Sequence, residues 1–296
     1  MIRVADEVHE ALAGAGGAVV ALETTLVAHG FPPGEGVEVG LESERQVRES
    51  GAVPATVGVL DGEVRIGLTA TELERFDAAA RKVGPRDLAA TAVQRAVGAT
   101  TVGGTLAVAR AAGIRFLATG GIGGVHRGFP DPPDVSADLA QLARTPALVV
   151  SAGAKSLLDV SATAELLESL GVPVLGFRVD TLPLFYAAEG GPAVSARVES
   201  AEEAARVAQA HWRLGGAGLL LGRPPDDPLE DVEPLVEEAL RAAAAAGVSG
   251  QAVTPYVLAH LHRESGGRTE AANKALVAQN ARLAGEVAVA VAAAGS

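Results

Sequence analysis

Short apolar runs alternate along this chain with segments whose polar residues recur at helical spacing. Residues 18–22 (AVVAL) are apolar without interruption, the pattern of a strand covered on both faces. Residues 37–48 carry their charges on one side of a 3.6-residue period, which predicts a helix. Residues 56–60 and 64–68 flank Asp61, Gly62 and Glu63, and a turn built on residues that tolerate positive φ predicts a hairpin. Thr71, with Glu74 three residues on, reads as a capping box that opens the next helix. Further strands are predicted at residues 114–118, 147–151, 172–177, 193–198 and 218–221, with helices between most of them. Ser200 and Glu203 form a second capping box before a helix over 204–214. Residues 1–12 read as a charged amphipathic helix, and the last long pattern, 269–294, is helical too. The stretch 223–234 (RPPDDPLEDVEP) is rich in proline and acid and reads as a surface connection.

Repeated strand, turn and helix units predict an α/β protein. The expected form is a three-layer α/β/α sandwich with a mixed, mostly parallel sheet, the early hairpin supplying antiparallel pairing. Such folds bind ligands beyond the carboxyl ends of their strands. The 296 residues, 48% of them apolar, suffice for one large core, and a single domain over 1–296 is expected. Aromatics make up only 3%, so the interior must be built from small aliphatic side chains packed in layers. The formal net charge of −12 opposes nucleic acid and anionic membrane surfaces as partners, whereas a small anionic substrate needs only a local basic pocket. Cysteine is absent, which excludes a disulfide framework, cysteine-ligated zinc and a thiol nucleophile. No uncharged run approaches the ~20 residues of a membrane span, and the first residues lack the apolar core of a secretory signal, so a cytoplasmic location is expected.

Three polar clusters follow predicted strands. Glu23, Thr24 and Thr25 come directly after AVVAL, in a loop leading to His29 and Gly30. Glu23 is open to two readings: a solvated strand end, or a partly buried acid whose pKa is raised enough to donate a proton. The second cluster, residues 119–128 (TGGIGGVHRG), has His126 where a dinucleotide fingerprint needs its third glycine. Its glycines either let backbone approach an anion, with His126 and Arg127 as donors, or simply form a turn. Downstream, Asp134, Ser136 and Asp138 in DVSAD are hard oxygen ligands suited to magnesium or manganese; equally, Ser136 or Asp134 caps the helix that continues to Leu142. The third cluster, residues 151–156 (SAGAKS), follows ALVV. Lys155 there is either a buried amine freed to attack a carbonyl or an ammonium that reaches solvent past the loop.

Together these clusters resemble the pseudouridine-5'-phosphate glycosidase family, also called indigoidine synthase A like, from about Ala21 to the end of the C-terminal helix. The motifs that carry the resemblance are ALETTLVAHG, KVGPRDL, GATTVGGT, FLATGGIGGVHRG, DVSADL and SAGAKSLLD, in that order. The resemblance implies an α/β/α sandwich assembled as a homotrimer. It implies Glu23 as proton donor, Lys155 as the lysine that bonds covalently to the sugar, and Asp134 as ligand to one manganese ion (Mn2+) per subunit. Substrate contacts carry over to Lys82, Val102, Ser136, Ala137 and Asp138, with Thr119, His126 and Asn273 lining the same pocket. The departures are local: residues 129–133 (FPDPP) are proline-rich and residues 181–192 look variable. Both are positions for a lid, and neither removes a named residue.

The reaction implied is reversible cleavage of the carbon-carbon glycosidic bond of pseudouridine 5'-phosphate to uracil and ribose 5-phosphate. Uracil departs as a carbon, so an ordinary carboxylate pair that protonates a heteroatom is insufficient. A lysine that attacks the anomeric carbon and opens the ribose ring creates an iminium, which serves as electron sink while Glu23 moves the protons. Two other functions would use the same residues. A Schiff-base aldolase acting on a sugar phosphate would also employ Lys155, and a non-catalytic sugar-phosphate-binding protein would use Glu23 and Lys155 only as ligands. Release of uracil separates the first reading from both.

Overall fold

The computed structural model describes residues 2–14, 17–32, 34–131, 133–229, 231–248 and 250–294. The first half of the chain runs β1 (Ile2–Val4), α1 (Asp6–Ala13), β2 (Val19–Glu23), α2 (Thr25–His29), α3 (Glu35–Glu49), β3 (Val53–Leu60), β4 (Glu63–Ile66), α4 (Ala70–Leu73), β5 (Arg81–Val83), α5 (Leu88–Val93), β6 (Gly98–Thr100) and α6 (Val102–Ala112). The second runs β7 (Phe116–Ala118), β8 (Val125–His126), α7 (Ala137–Leu142), β9 (Leu148–Ser151), β10 (Leu158–Asp159), α8 (Val160–Ser169), β11 (Val174–Phe177), β12 (Ala196–Val198), α9 (Ala201–Arg213), β13 (Leu219–Gly222), α10 (Glu233–Ala245), α11 (Val253–Glu264) and α12 (Arg268–Ala294).

The main sheet has the order β1-β4-β3-β2-β7-β9-β13-β11-β12, with β6 branching from β3 and pairing β5. Its pairings are parallel except where β3 meets β4 and β6. Along the central strands, alternate residues serve two cores. Val19, Ala21, Val149 and Leu220 pack on the side of α6 and α7. Val20, Leu22, Leu148, Val150, Leu219 and Leu221 pack toward α3, α9 and α12. This is why AVVAL, FLA, LVVS and LLLG read as unbroken apolar runs: both faces are covered, and the result is the three-layer α/β/α sandwich expected. Helix α12 is long and apolar enough to cross a membrane by length and composition. It lies instead in the second core against α3, α9 and the strands β7, β9 and β2, contributing Leu283, Ala284 and Val287.

The predicted hairpin is present as β3–β4, with Asp61 at φ 57° and Gly62 at φ 90° in the turn. Three expectations are corrected. Residues 2–4 are a strand, not the start of a helix: Ile2, Arg3 and Val4 lie parallel to Val64, Arg65 and Ile66, and the Ala5 amide bonds the Ile66 carbonyl. The open outer edge of β4 offers main-chain partners that the first turn of an isolated helix lacks. The capping box lies two residues earlier than predicted, because Thr69 and Glu72 have the same spacing as Thr71 and Glu74, and Glu72 is additionally held by Arg65. In the Ser200 box, Glu203 reaches back to the Glu199 amide instead of that of Ser200. The strands β5 and β6 went unpredicted, being three residues each without an apolar run.

Candidate active site

Parallel pairing brings the carboxyl ends of β2, β7 and β9 side by side. The register sets Leu22 opposite Ala118, so the next residues, Glu23 and Thr119, become neighbours. The Thr119 hydroxyl donates to Glu23 Oε1, and both side chains are buried, 7% and 3% exposed. Of the two readings of Glu23, the solvated strand end is therefore wrong. Burial raises its carboxyl pKa; Lys155, the Thr119 hydroxyl and Lys82 draw it back, while Asp138 adds to the rise.

The threonines after Glu23 fasten this loop to the neighbouring strands. Thr24 Oγ1 donates to the Val57 carbonyl and accepts the Thr100 amide, at 2.8 and 2.9 Å. Thr25 Oγ1 donates to the Ala99 carbonyl at 3.1 Å, and Ala99 is the β6 partner of Lys82 on β5. Lys82 is thus delivered to the same cleft by a strand that the apolar pattern did not reveal. Its desolvation, reinforced by the positive charge of Lys155, pushes its pKa down to about 8 against the opposite pull of Asp138 and Glu23.

The loops that follow β7 and β9 run on together beyond the sheet. The Ile122 amide bonds the Gly153 carbonyl and the Lys155 amide bonds the Ile122 carbonyl, at 3.0 and 3.2 Å. Lys155 lies four residues past the end of β9 and is half-buried, between its two readings of a buried amine and an ammonium in solvent. The DVSAD segment pairs with the same glycine-rich loop: the His126 amide bonds the Asp134 carbonyl, and the Ser136 amide bonds that of Gly124. Ser136 caps α7 by accepting the Asp138 amide. Asp138 is buried, and its two carboxylate oxygens accept the Gly103 and Gly123 amides at 2.7 and 3.0 Å, tying the start of α6 to the glycine loop.

Two cavities meet over these residues. An inner chamber is walled by Leu26, His29, Gly121, Phe185, Pro255, Leu258 and Asn273, with Thr119 at its base. An outer cleft is lined by Lys82, Arg86, Arg144, His126, Asp134, Val135, Ser136, Ala137 and Asp138. Glu23, Thr25, Lys82, Lys155 and Thr254 border both. Every predicted site residue lies along this continuous space except Val102, whose side chain is buried in the core at the first position of α6. Val102 can offer the cleft only backbone. Leu26, the wall from α11, and Phe185 went unnoticed in the sequence because these residues read as ordinary apolar helix or loop.

Asp134 is half-exposed on the outer cleft, with its Oδ2 3.9 Å from His126 Nδ1. Burial lowers the His126 pKa, opposed by Asp134 and aided by Lys82 and Lys155. Among the described residues no group of three or more histidine and acidic side chains gathers to hold a metal. What the site offers is one carboxylate beside open space, a donor set that fits a hard divalent ion which retains most of its water ligands.

The profile of the family described as "Indigoidine synthase A like protein" matches residues 7–290. Among curated proteins, the chain is 46% identical to the pseudouridine-5'-phosphate glycosidase of Herpetosiphon aurantiacus, covering 97% of both chains. It is 48% identical to that of Symbiobacterium thermophilum, covering 92% of both. Among solved structures, it superposes on the prealnumycin C-glycosynthase AlnA in complex with ribulose 5-phosphate with a TM-score of 0.89 and 41% identity, over 99% of this chain and 98% of the other. An indigoidine synthase A-like protein of Thermotoga maritima gives a TM-score of 0.85 and 35% identity, over 99% and 97% of the two chains.

Proposed function

The chain belongs to the indigoidine synthase A like family, and from that membership we infer that it is a pseudouridine-5'-phosphate glycosidase. It interconverts pseudouridine 5'-phosphate with uracil and ribose 5-phosphate. The observation that carries this reading is the junction at which a buried acid, Glu23, and two lysines, Lys82 and Lys155, share one boundary between an apolar chamber and a charged cleft.

The division suits the two halves of the substrate. A flat, weakly polar base matches the chamber side formed by Leu26, Pro255 and Leu258, with the Asn273 amide for its polar edge. The phosphate matches the cleft, where Lys82, Arg86 and Arg144 supply positive charge to a chain that is acidic overall. The scissile bond then spans the junction. Lys155 attacks the anomeric carbon; the ring carbon-oxygen bond breaks, and the ring oxygen takes a proton from Glu23. The amine returns a proton to the carboxylate, its lone pair expels the base, and Glu23 protonates the uracil carbon. Water hydrolyses the remaining imine to free ribose 5-phosphate and Lys155. A carboxyl whose pKa is raised by burial remains protonated at a pH where an ordinary glutamate would not, which is what a proton donor needs.

The Asp134 carboxylate is the proposed ligand of a manganese ion, which when bound would offset negative charge near the phosphate. Assembly as a homotrimer and a cytoplasmic location belong to the same proposal. The similarity to a C-glycosynthase favours a second use of this apparatus in the synthetic direction, since free ribose 5-phosphate has an aldehyde that Lys155 can capture. The deciding experiment is uracil release from pseudouridine 5'-phosphate, paired with borohydride reduction in the presence of ribose 5-phosphate and peptide mass spectrometry. Release of uracil with added mass on Lys155 is expected. No release would overturn the activity, and an adduct on another lysine would overturn the mechanism.

A further inference from the structure

Segment 181–192 is not a detached lid. Leu182, Pro183, Phe185 and Tyr186 are buried, and the Phe185 amide bonds the Ala152 carbonyl at 2.9 Å, just ahead of Lys155 in the loop after β9. Phe185 itself has φ 68°, a left-handed conformation that bulky side chains adopt only under constraint. Glycine would sit there without strain, and the chain uses glycine freely a few residues on, at 190 and 191. The conformation turns the Phe185 ring into the inner chamber, edge-on to Tyr186 at 4.7 Å between centroids.

The ring meets the backbone at Gly121. A β-carbon on Gly121 would come within 2.6 Å of Phe185 Cδ2 and 3.2 Å of Lys155 Cγ. The phenyl ring and the hydrocarbon stem of Lys155 therefore converge on the same bare stretch of main chain, which has no side chain of its own to separate them. We propose that Phe185 is a positioning residue for Lys155: its ring confines the lysine stem against Gly121, aims the amine at the junction of chamber and cleft, and shields one side of the imine from water. This rests on the reading of Lys155 as the covalent residue. The backbone strain at Phe185 is then the cost of placing a flat apolar surface where the chain direction would otherwise send it outward.

Phe185→Gly is the informative variant, because glycine accepts φ 68° and the backbone path can persist while the ring is lost. Phe185→Leu retains apolar volume without a flat face. Wild type and both variants are compared for kcat and KM in uracil release, for borohydride-trapped adduct on Lys155 with ribose 5-phosphate, and for thermal midpoint. The expected result for Phe185→Gly is a lowered thermal midpoint, since a buried ring is lost, together with a kcat per folded site lower by about 10- to 100-fold, the effect of a misaimed nucleophile. KM should stay within about threefold and trapping should slow in parallel, because the loss falls on the transition state and not on binding. Phe185→Leu should fall between. A residue with a merely structural role would lower the midpoint and leave kcat per folded site unchanged, and that outcome overturns the proposal. So does a rise in KM alone, which would make Phe185 a binding wall. If Phe185→Gly does not fold, unchanged kcat per folded site in Phe185→Leu overturns it equally. Failure of the covalent reading shows separately, as turnover by wild type with no adduct on Lys155.

Discussion

At the scale of single residues, the site depends on which groups lose water and which charges face them. Glu23 and Lys82 are shifted in the directions that burial dictates, the acid upward and the amine downward to about 8. For Lys82 this sets a pH window: below about 8 it is an ammonium able to hold phosphate, and as pH rises through that value the charge is lost. Inorganic phosphate, used as a competitive inhibitor, should therefore weaken above that pH in the wild type. It should not do so in Lys82→Arg, whose guanidinium stays charged. Identical pH dependence in the two proteins would remove Lys82 from the phosphate site. Glu23→Gln keeps the nucleophile but cannot give a proton, so uracil release should fall by about 10²- to 10⁴-fold. The Lys155 adduct with ribose 5-phosphate should remain trappable, and full activity of Glu23→Gln would end its assignment as proton donor. Glu23 and Lys155 were visible in the sequence through their motifs, whereas Phe185 was not, because a strained φ leaves no mark on composition.

At the scale of elements, one buried carboxylate joins two loops. Asp138 accepts amides from the start of α6 and from the glycine loop, and Asp138→Asn would turn one acceptor into a donor facing an amide. That change should destabilise the protein by about 1–3 kcal/mol, the cost of a buried unsatisfied amide. Urea titration reads the loss, and stability equal to wild type would show the tie to be idle. The capping box allows a cleaner comparison. Thr69→Ala should cost about 1 kcal/mol and Thr71→Ala only a few tenths, since only Thr69 accepts the Glu72 amide. The reverse order would restore the register predicted from sequence. Spacing alone could not choose between two threonines each followed by a glutamate; the salt bridge from Arg65 on β4 breaks the tie.

At the scale of the whole molecule, remote binding energy from the phosphate should be spent on positioning the reacting carbon. Unphosphorylated pseudouridine is then expected to be a poor substrate, and comparable kcat/KM for nucleoside and nucleotide would contradict the division of the site into chamber and cleft. A chelator should remove most activity, and Asp134→Ala should behave like the chelated enzyme. Full activity of that variant in chelator would dismiss the metal.

The pattern of apolar residues by itself determined the layered α/β architecture, because strands covered on both faces must be apolar throughout and helices on their flanks must be periodic. The candidate residues of chemistry came instead from six motifs and the family they resemble, and the types and order of those motifs are local properties of the chain. Only the tertiary structure decided how these parts meet. The register of β2 against β7 sets Glu23 beside Thr119, the pairing of β5 with β6 brings Lys82 to Glu23, and the packing of segment 181–192 lays Phe185 against Gly121, where the Lys155 stem also arrives. Burial, and with it every pKa shift in the site, follows from such contacts between residues far apart in the chain. A linear pattern records what each segment prefers, but the desolvation of a group is set by whatever neighbours the completed fold brings to it.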